Sequence, residues 1–220
     1  ACLSLDATAL IEALAPDGTG VVIGHDWGAS AAVGAAIHSA ARVRRVVSMA
    51  LPHPAVLAAH LLGDRAQQKR SWYAWFFQMG TLAEICVAAD GHAFVEDLWR
   101  DWSPGYQPDP EEMRRLRAMF ALPGVTEAAL EYYRQTFDAR RQAGELSALQ
   151  AGISSGRITV PAMFLMGADD GCVDPTYLSE SAAFCDTPPR IEVLDGCGHF
   201  LHLERPDEAN RLVLEFLGDP

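Results

Sequence analysis

Four stretches of this chain read as strands from their apolar residues. Val21-Val22-Ile23 is a short β-branched run. Val43 to Leu51 contains Val46-Val47, Val160-Pro161-Ala162-Met163-Phe164-Leu165-Met166 is almost unbroken, and Arg190-Ile191-Glu192-Val193-Leu194 follows it. The first run, with no polar alternation, fits a strand covered on both faces, as in a parallel sheet. Between the first two lies Ala29 to Ala41, built almost wholly from small residues, which predicts a helix packed tightly on the sheet. Strand, helix and strand within about thirty residues make a βαβ unit. Upstream, residues 5–14 carry apolar positions at helical spacing and stop at the breaker cluster Ala15-Pro16-Asp17-Gly18. The last helix opens with Pro206, Asp207 and Glu208 in its first turn, buries Ala209, Leu212, Val213, Phe216 and Leu217 along one face, and has Gly218 as its expected cap.

The texture changes between residues 54 and about 155. This stretch holds nearly all the Trp and Tyr, many Arg and no convincing strand. Breakers fall at Ser103-Pro104-Gly105, Gln107-Pro108-Asp109-Pro110 and Leu122-Pro123-Gly124, so a helical insertion is expected. The fold class is therefore α/β with a mostly parallel sheet, divided as 1–53, 54–155 and 156–220.

Composition narrows the classes. With 220 residues, 50% hydrophobic and 21% charged, the chain is one domain or a core plus an inserted lobe, not a disordered segment. A net charge of −12 argues against nucleic acid or an anionic membrane as partner. No apolar run approaches the ~20 residues that span a bilayer. Cys2, Cys86, Cys172, Cys185 and Cys197 are odd in number and scattered, which reads as reduced thiols in a cytoplasmic protein rather than a disulfide frame or zinc site. The opening Ala1-Cys2-Leu3-Ser4-Leu5-Asp6 has no basic region, so no signal peptide is expected, and no Met, so the chain is expected to begin inside a longer gene product. The residues carry no signal for oligomeric state.

The chemistry centres on Gly24-His25-Asp26-Trp27-Gly28, between the first strand and the small-residue helix. Its G-x-D-x-G form is a nucleophile elbow with Asp in place of Ser. Gly24 and Gly28 are expected to be required because a Cβ at either would strike backbone. The other reading of Asp26 is a plain helix N-cap. Two later segments favour the elbow. Met166-Gly167-Ala168-Asp169-Asp170-Gly171-Cys172 follows one strand, and Gly196-Cys197-Gly198-His199-Phe200 follows the next. A parallel sheet brings all three loops to one edge. The order Asp26, acid, His199 is the nucleophile, acid, base order of a hydrolase.

These motifs, spread over nearly the whole chain, resemble the α/β-hydrolase superfamily, and within it the aspartate-nucleophile branch of epoxide hydrolases and haloalkane or haloacetate dehalogenases. The resemblance implies Asp26 as nucleophile, Asp170 as acid and His199 as base. Asp170 is preferred to Asp169 because it stands five residues before the loop proline, Pro175. It also implies that residues 54–155 are a helical cap, and that earlier strands and an H-G-x-P loop belong to the complete fold. Nothing before Leu3 supplies them, so the chain is expected to lack an N-terminal portion.

A carboxylate attacking an ester gives an unproductive anhydride, whereas at a saturated carbon it gives an alkyl ester that water can hydrolyse. That chemistry needs neither metal nor organic cofactor, and the expected partner is a small apolar substrate. For an epoxide, related enzymes protonate the leaving oxygen from cap tyrosines. Tyr73 in Ser71-Trp72-Tyr73-Ala74-Trp75-Phe76-Phe77 falls on the first such position, with packing under the cap as its other reading. Trp27, Tyr73 and Trp75 are the expected substrate contacts, with Tyr73, Trp75 and Phe77 facing the pocket. Counting for a second tyrosine lands near Arg117. Tyr133 shares a helical stripe with Val125, Ala129 and Phe137 and reads as helix core, and Tyr106 is a further candidate. Trp27 also fits a halide donor, but Trp27 and Ser30 stand where haloacetate dehalogenases carry Arg, Ala74 stands where they carry a cap His, and His53 stands where some haloalkane dehalogenases place their acid. An epoxide hydrolase-like enzyme is expected first and a haloalkane dehalogenase second. The contrasting expectation is a binding module that kept the elbow and lost turnover.

Overall fold

The computed structural model describes residues 1–16 and 18–218; Asp17 of the expected breaker cluster lies outside them. Four strands, β1 (Gly20–His25), β2 (Val43–Met49), β3 (Ala162–Gly167) and β4 (Arg190–Leu194), form one parallel sheet in chain order. Ile23 pairs with Val47, Met49 with Leu165, and Gly167 with Leu194. Because every strand runs the same way in near register, the loops after β1, β3 and β4 emerge along one edge.

Both faces of the central strand β3 are covered, which is why it carries no polar alternation. Ile23 of β1 and Val193 of β4 are exposed, so the expectation that the first strand is buried on both faces is corrected: it lies at an edge of the sheet among the described residues. Val46, Phe164 and Met166 pack toward α2 (Trp27–His38), whose Ala29, Ala32, Ala35 and Ala36 are fully buried. The alternate residues Val47, Met163 and Leu165 face the other way. They meet Leu201 of α10 (Leu201–Glu204) and Ala209, Leu212 and Phe216 of α11 (Pro206–Gly218). Helix α1 (Cys2–Leu14) packs on α2. The expected strand over 43–51 stops at Met49, where Ala50 turns to φ 65°. Gly218 ends within α11 rather than beyond it.

Residues 54–155 contain no strand. They form α3 (Pro54–Gly63), α4 (Arg65–Arg70), α5 (Trp72–Phe76), α6 (Thr81–Trp102), α7 (Pro110–Phe120), α8 (Val125–Phe137) and α9 (Ser147–Ser155). Helix α9 packs against α2 and α3, beside the sheet. Helix α6 breaks at 89–92, where Asp90, Gly91 and His92 are all left-handed. The break sends buried His92 to the Thr126 hydroxyl of α8, with 3.2 Å between Nε2 and Oγ1. Arg134 of α8 is buried and clamps the same corner. It donates to Phe77 O at 3.0 Å and Gly80 O at 2.9 Å and pairs with Glu84 at 2.7 Å.

Candidate active site

Asp26 sits between β1 and α2 with φ 52° and ψ −121°, a conformation that costs a non-glycine residue ~1–3 kcal/mol. The turn is so tight that a Cβ on Gly24 would lie 2.0 Å from Gly28 O. The expectation for Gly28 is corrected: a Cβ there meets nothing within 4 Å, because Gly28 already points away in the first turn of α2. Asp26 is thus lifted to the sheet edge, its side chain 30% exposed onto a cavity.

The structure brings the other two predicted groups to it. Asp170 follows β3, and its Oδ1 accepts from Cys172 N at 2.7 Å and Val173 N at 2.9 Å. Its Oδ2 meets His199 Nδ1 at 2.9 Å, and His199 Nε2 lies 3.5 Å from Asp26 Oδ1. The loops after β3 and β4 touch so closely that a Cβ on Gly167 would fall 2.2 Å from Gly198 O. One cap carbonyl, Trp102 O, accepts from both Gly171 N at 3.0 Å and His199 N at 3.1 Å, fixing the acid and histidine loops to the end of α6. Asp169 and Asp174 do not join the triad: Asp174 caps the turn at Thr176 and pairs with Arg70 at 3.5 Å.

Burial lowers the affinity of His199 for a proton, but the adjacent Asp170 and Asp26 carboxylates outweigh it and push its pKa up to about 10. Burial pushes Asp26 up, and the hydrogen bond and charge of His199 more than reverse this, so the carboxylate stays ionised. The free site therefore holds an imidazolium between two carboxylates.

The cavity above Asp26 has a volume of about 350 Å³ and apolar walls. Trp27, Phe77, Phe94, Leu98, Leu130 and Tyr133 are among its lining residues. Of the expected contacts, Trp27 lines it. Tyr73 is buried beside it, with its hydroxyl 3.0 Å from Cys172 Sγ. Trp75 is a correction: it is 37% exposed and packs on Phe137 at the surface, because successive residues of short α5 point to different sides. Tyr106 also stays outside, reaching Glu112 at 3.4 Å. His53 is buried away from the cavity; it stacks on Phe184 and its Nδ1 caps α3 at Ala55 N.

Of three further neighbours of the site, Tyr133 is a correction, since it read as helix core, while His25 and Cys172 carried no role in the sequence analysis. Tyr133 lines the cavity, its ring 5.6 Å from that of Tyr73 and 5.2 Å from Trp27. Burial and then the Asp26 charge raise its pKa well above the ordinary tyrosine value, and a hydrogen bond from Trp27 offsets part of this. Tyr73 is raised likewise, by burial first, with Cys172, Tyr133 and Asp26 adding to it. His25 donates from Nε2 to His199 O at 2.8 Å, tying the β1 end to the histidine loop. Cys172 places Sγ within 4.8 Å of both Asp26 and His199 ligand atoms. For His25, adjacency to Asp26 in the sequence was the available signal; for Cys172 it was the spacing of two from Asp170.

The family model described as the alpha/beta hydrolase family matches residues 3–212. Human epoxide hydrolase 4 is 24% identical over 221 residues, covering 98% of this chain and 58% of the relative. Epoxide hydrolase A of Mycobacterium tuberculosis is 26% identical, covering 98% of this chain and 73% of the relative. The crystal structure of a putative epoxide hydrolase from Klebsiella pneumoniae superposes with a TM-score of 0.80 at 22% identity, covering 97% of this chain and 70% of that one. The chain spans 58% and 52% of two of the curated relatives it matches, so it corresponds to little more than half of their length. Among the described residues no helix is long and apolar enough to cross a membrane.

Proposed function

The chain belongs to the alpha/beta hydrolase family, and on that premise we propose that the whole protein is an epoxide hydrolase-like enzyme acting through an ester of Asp26. We further divide it into a core of 1–53 and 156–220 and a cap of 54–155. The carrying observation is an ionised Asp26, backed by His199 and Asp170, that lies under an apolar cavity beside two tyrosines.

One Asp26 oxygen attacks an epoxide carbon, and that carbon's bond to the ring oxygen breaks as the new ester bond forms. The departing oxygen takes its proton from a tyrosine hydroxyl. Tyr133 lines the cavity, with its ring edge-on to Trp27 at 5.2 Å, and is the first candidate to give that proton. Esterification removes the Asp26 charge, one of the two that hold the imidazole protonated. Once its proton passes to the tyrosinate, His199 is neutral and its Nε2 faces the ester carbonyl, so it takes a proton from water as that water attacks. The backbone N–H of Trp27, which holds the Asp26 carboxylate, is the donor for the oxyanion that develops there. As the tetrahedral intermediate collapses, the departing alkoxide takes the second proton of the attacking water, which releases the diol and returns Asp26 to its carboxylate form, and the proton held by His199 remains between two carboxylates. The haloalkane alternative is less favoured, because the paired tyrosines offer a proton that a departing halide does not need.

The cavity volume supports a small apolar substrate. Among the described residues the five cysteines are free, which supports a reducing, cytoplasmic setting. The test is a trapping experiment with the whole protein. His199→Gln should accumulate an ester on Asp26, visible by peptide mass spectrometry as substrate mass added to that residue, and Asp26→Ala should accumulate none. Turnover by wild type with no adduct on His199→Gln from either an epoxide or an alkyl halide would refute the covalent mechanism. No turnover and no adduct would leave the binding-module reading in its place.

A further inference from the structure

We propose that Asp26, Cys172 and His199 also form a binding site for a thiophilic divalent ion such as Zn²⁺, and that such an ion reversibly shuts the site. The inference needs only the geometry of these side chains and stands whether or not the substrate is an epoxide. One carboxylate oxygen, one thiol sulfur and one imidazole nitrogen lie within 4.8 Å of one another. Ordinary zinc bonds of ~2.0–2.3 Å set tetrahedral ligand atoms about 3.3–3.6 Å apart, so the set closes on an ion through small side-chain movements. His199 Nε2 and Asp26 Oδ1 are already 3.5 Å apart.

The surroundings suit an ion as well. His199 Nδ1 meets Asp170 Oδ2 at 2.9 Å, which keeps the Nδ1 proton in place, so Nε2 becomes the ligating nitrogen once its own proton leaves, in the carboxylate–histidine–metal arrangement. Asp170 is itself held by the Cys172 and Val173 amides, so one loop presents both the sulfur and the supporting acid. Tyr73 OH, 3.0 Å from Cys172 Sγ, is placed to donate to a thiolate. Three protein ligands with the cavity beyond them leave a fourth position for water. Binding exchanges the Cys172 thiol proton and the proton on His199 Nε2 for the ion, and no electron transfer is involved. The ion occupies the nucleophile and the base together, so inhibition follows from occupancy alone.

The experiment uses the metal-free 220-residue protein and Co²⁺ as a spectroscopic stand-in, followed by Zn²⁺ competition. The expected result is one Co²⁺ per chain with tetrahedral visible bands and a sulfur-to-cobalt charge-transfer band, displaced by one equivalent of Zn²⁺. Cys172→Ser should lose the charge-transfer band. Asp170→Asn should keep that band while weakening binding about 10- to 100-fold. Circular dichroism confirms that each variant is folded, and the wild-type band itself does not depend on any variant. No stoichiometric binding by wild type, binding without the sulfur band, or a band that survives in Cys172→Ser would overturn the proposal. None of these results bears on the trapping experiment, which reads an ester and not a metal.

Discussion

The sheet edge and the cap supply groups to the same cavity by different routes. At the edge, each group stands one to five residues beyond a strand: Asp26 after His25, Asp170 after Gly167, and His199 after Leu194. Parallel pairing then decides their meeting, and the backbone has almost no slack, as Gly24 and Gly167 show. In the cap, Tyr73 and Tyr133 come from helices sixty residues apart and meet only because Arg134, His92 and the break in α6 lock α8 against its neighbours. The edge is therefore specified locally and tolerates little change in backbone. The cap is specified by packing, and its side chains can change without loss of fold.

Substitutions test that contrast, and the largest expected effect is at the elbow. Gly24→Ala should abolish folding or cost more than ~4 kcal/mol, since its Cβ would sit 2.0 Å from a carbonyl oxygen. Gly28→Ala, four residues on and inside a helix, should be neutral or stabilising by up to ~1 kcal/mol. Urea denaturation of the pair checks this, and equal losses at both positions would break the idea of a locally specified edge.

Next come the tyrosines. Tyr73→Phe and Tyr133→Phe should each slow ester formation from an epoxide by roughly 100-fold, within the range for a lost proton donor. Neither should slow it from an alkyl halide, which needs no proton. Stability should change by less than ~1.5 kcal/mol, because each ring keeps its packing. Single-turnover kinetics with both substrates gives the answer. A halide rate that falls equally would make these residues packing groups only.

A pH series sharpens the picture at the edge. His199 has a folded pKa of about 10 against an ordinary 6.5. A raised pKa gives stability that is full below about 6.5 and lost as pH rises through about 10. The stability advantage of wild type over His199→Gln should therefore shrink across that window. Asp26→Asn should shift the loss to lower pH by removing one supporting carboxylate. Denaturation midpoints at several pH values measure both, and a constant advantage would contradict the ion triad.

The smallest effect belongs to Trp75. As a surface residue 37% exposed on Phe137, Trp75→Ala should cost less than ~1.5 kcal/mol and leave single-turnover rates unchanged. A rate loss comparable to that of Tyr133→Phe would return Trp75 to the cavity wall.

The sequence by itself determined the parallel sheet and the meeting of Asp26, Asp170 and His199 at its edge. The unbroken apolar run of β3 forces a sheet covered on both of its faces there, and parallel pairing then leaves the following loops no other place to emerge. It likewise determined that residues 54–155 would be helical. Tertiary structure decided which aromatic residues face the substrate space. Helical spacing put Tyr133 on an inward stripe, but periodicity tells only which side of a helix turns inward. Whether the inside is filled or left open depends on α6, α7 and α8 together, and here it is open, so a residue read as core lines a cavity. The same limit put Trp75 on the wrong side, since five-residue α5 is too short for its spacing to define a face. Cys172 shows a third kind of decision. Its place in the chain followed from the acid loop, but its distance from Asp26, nearly 150 residues away, was set only when the sheet brought the two loops together.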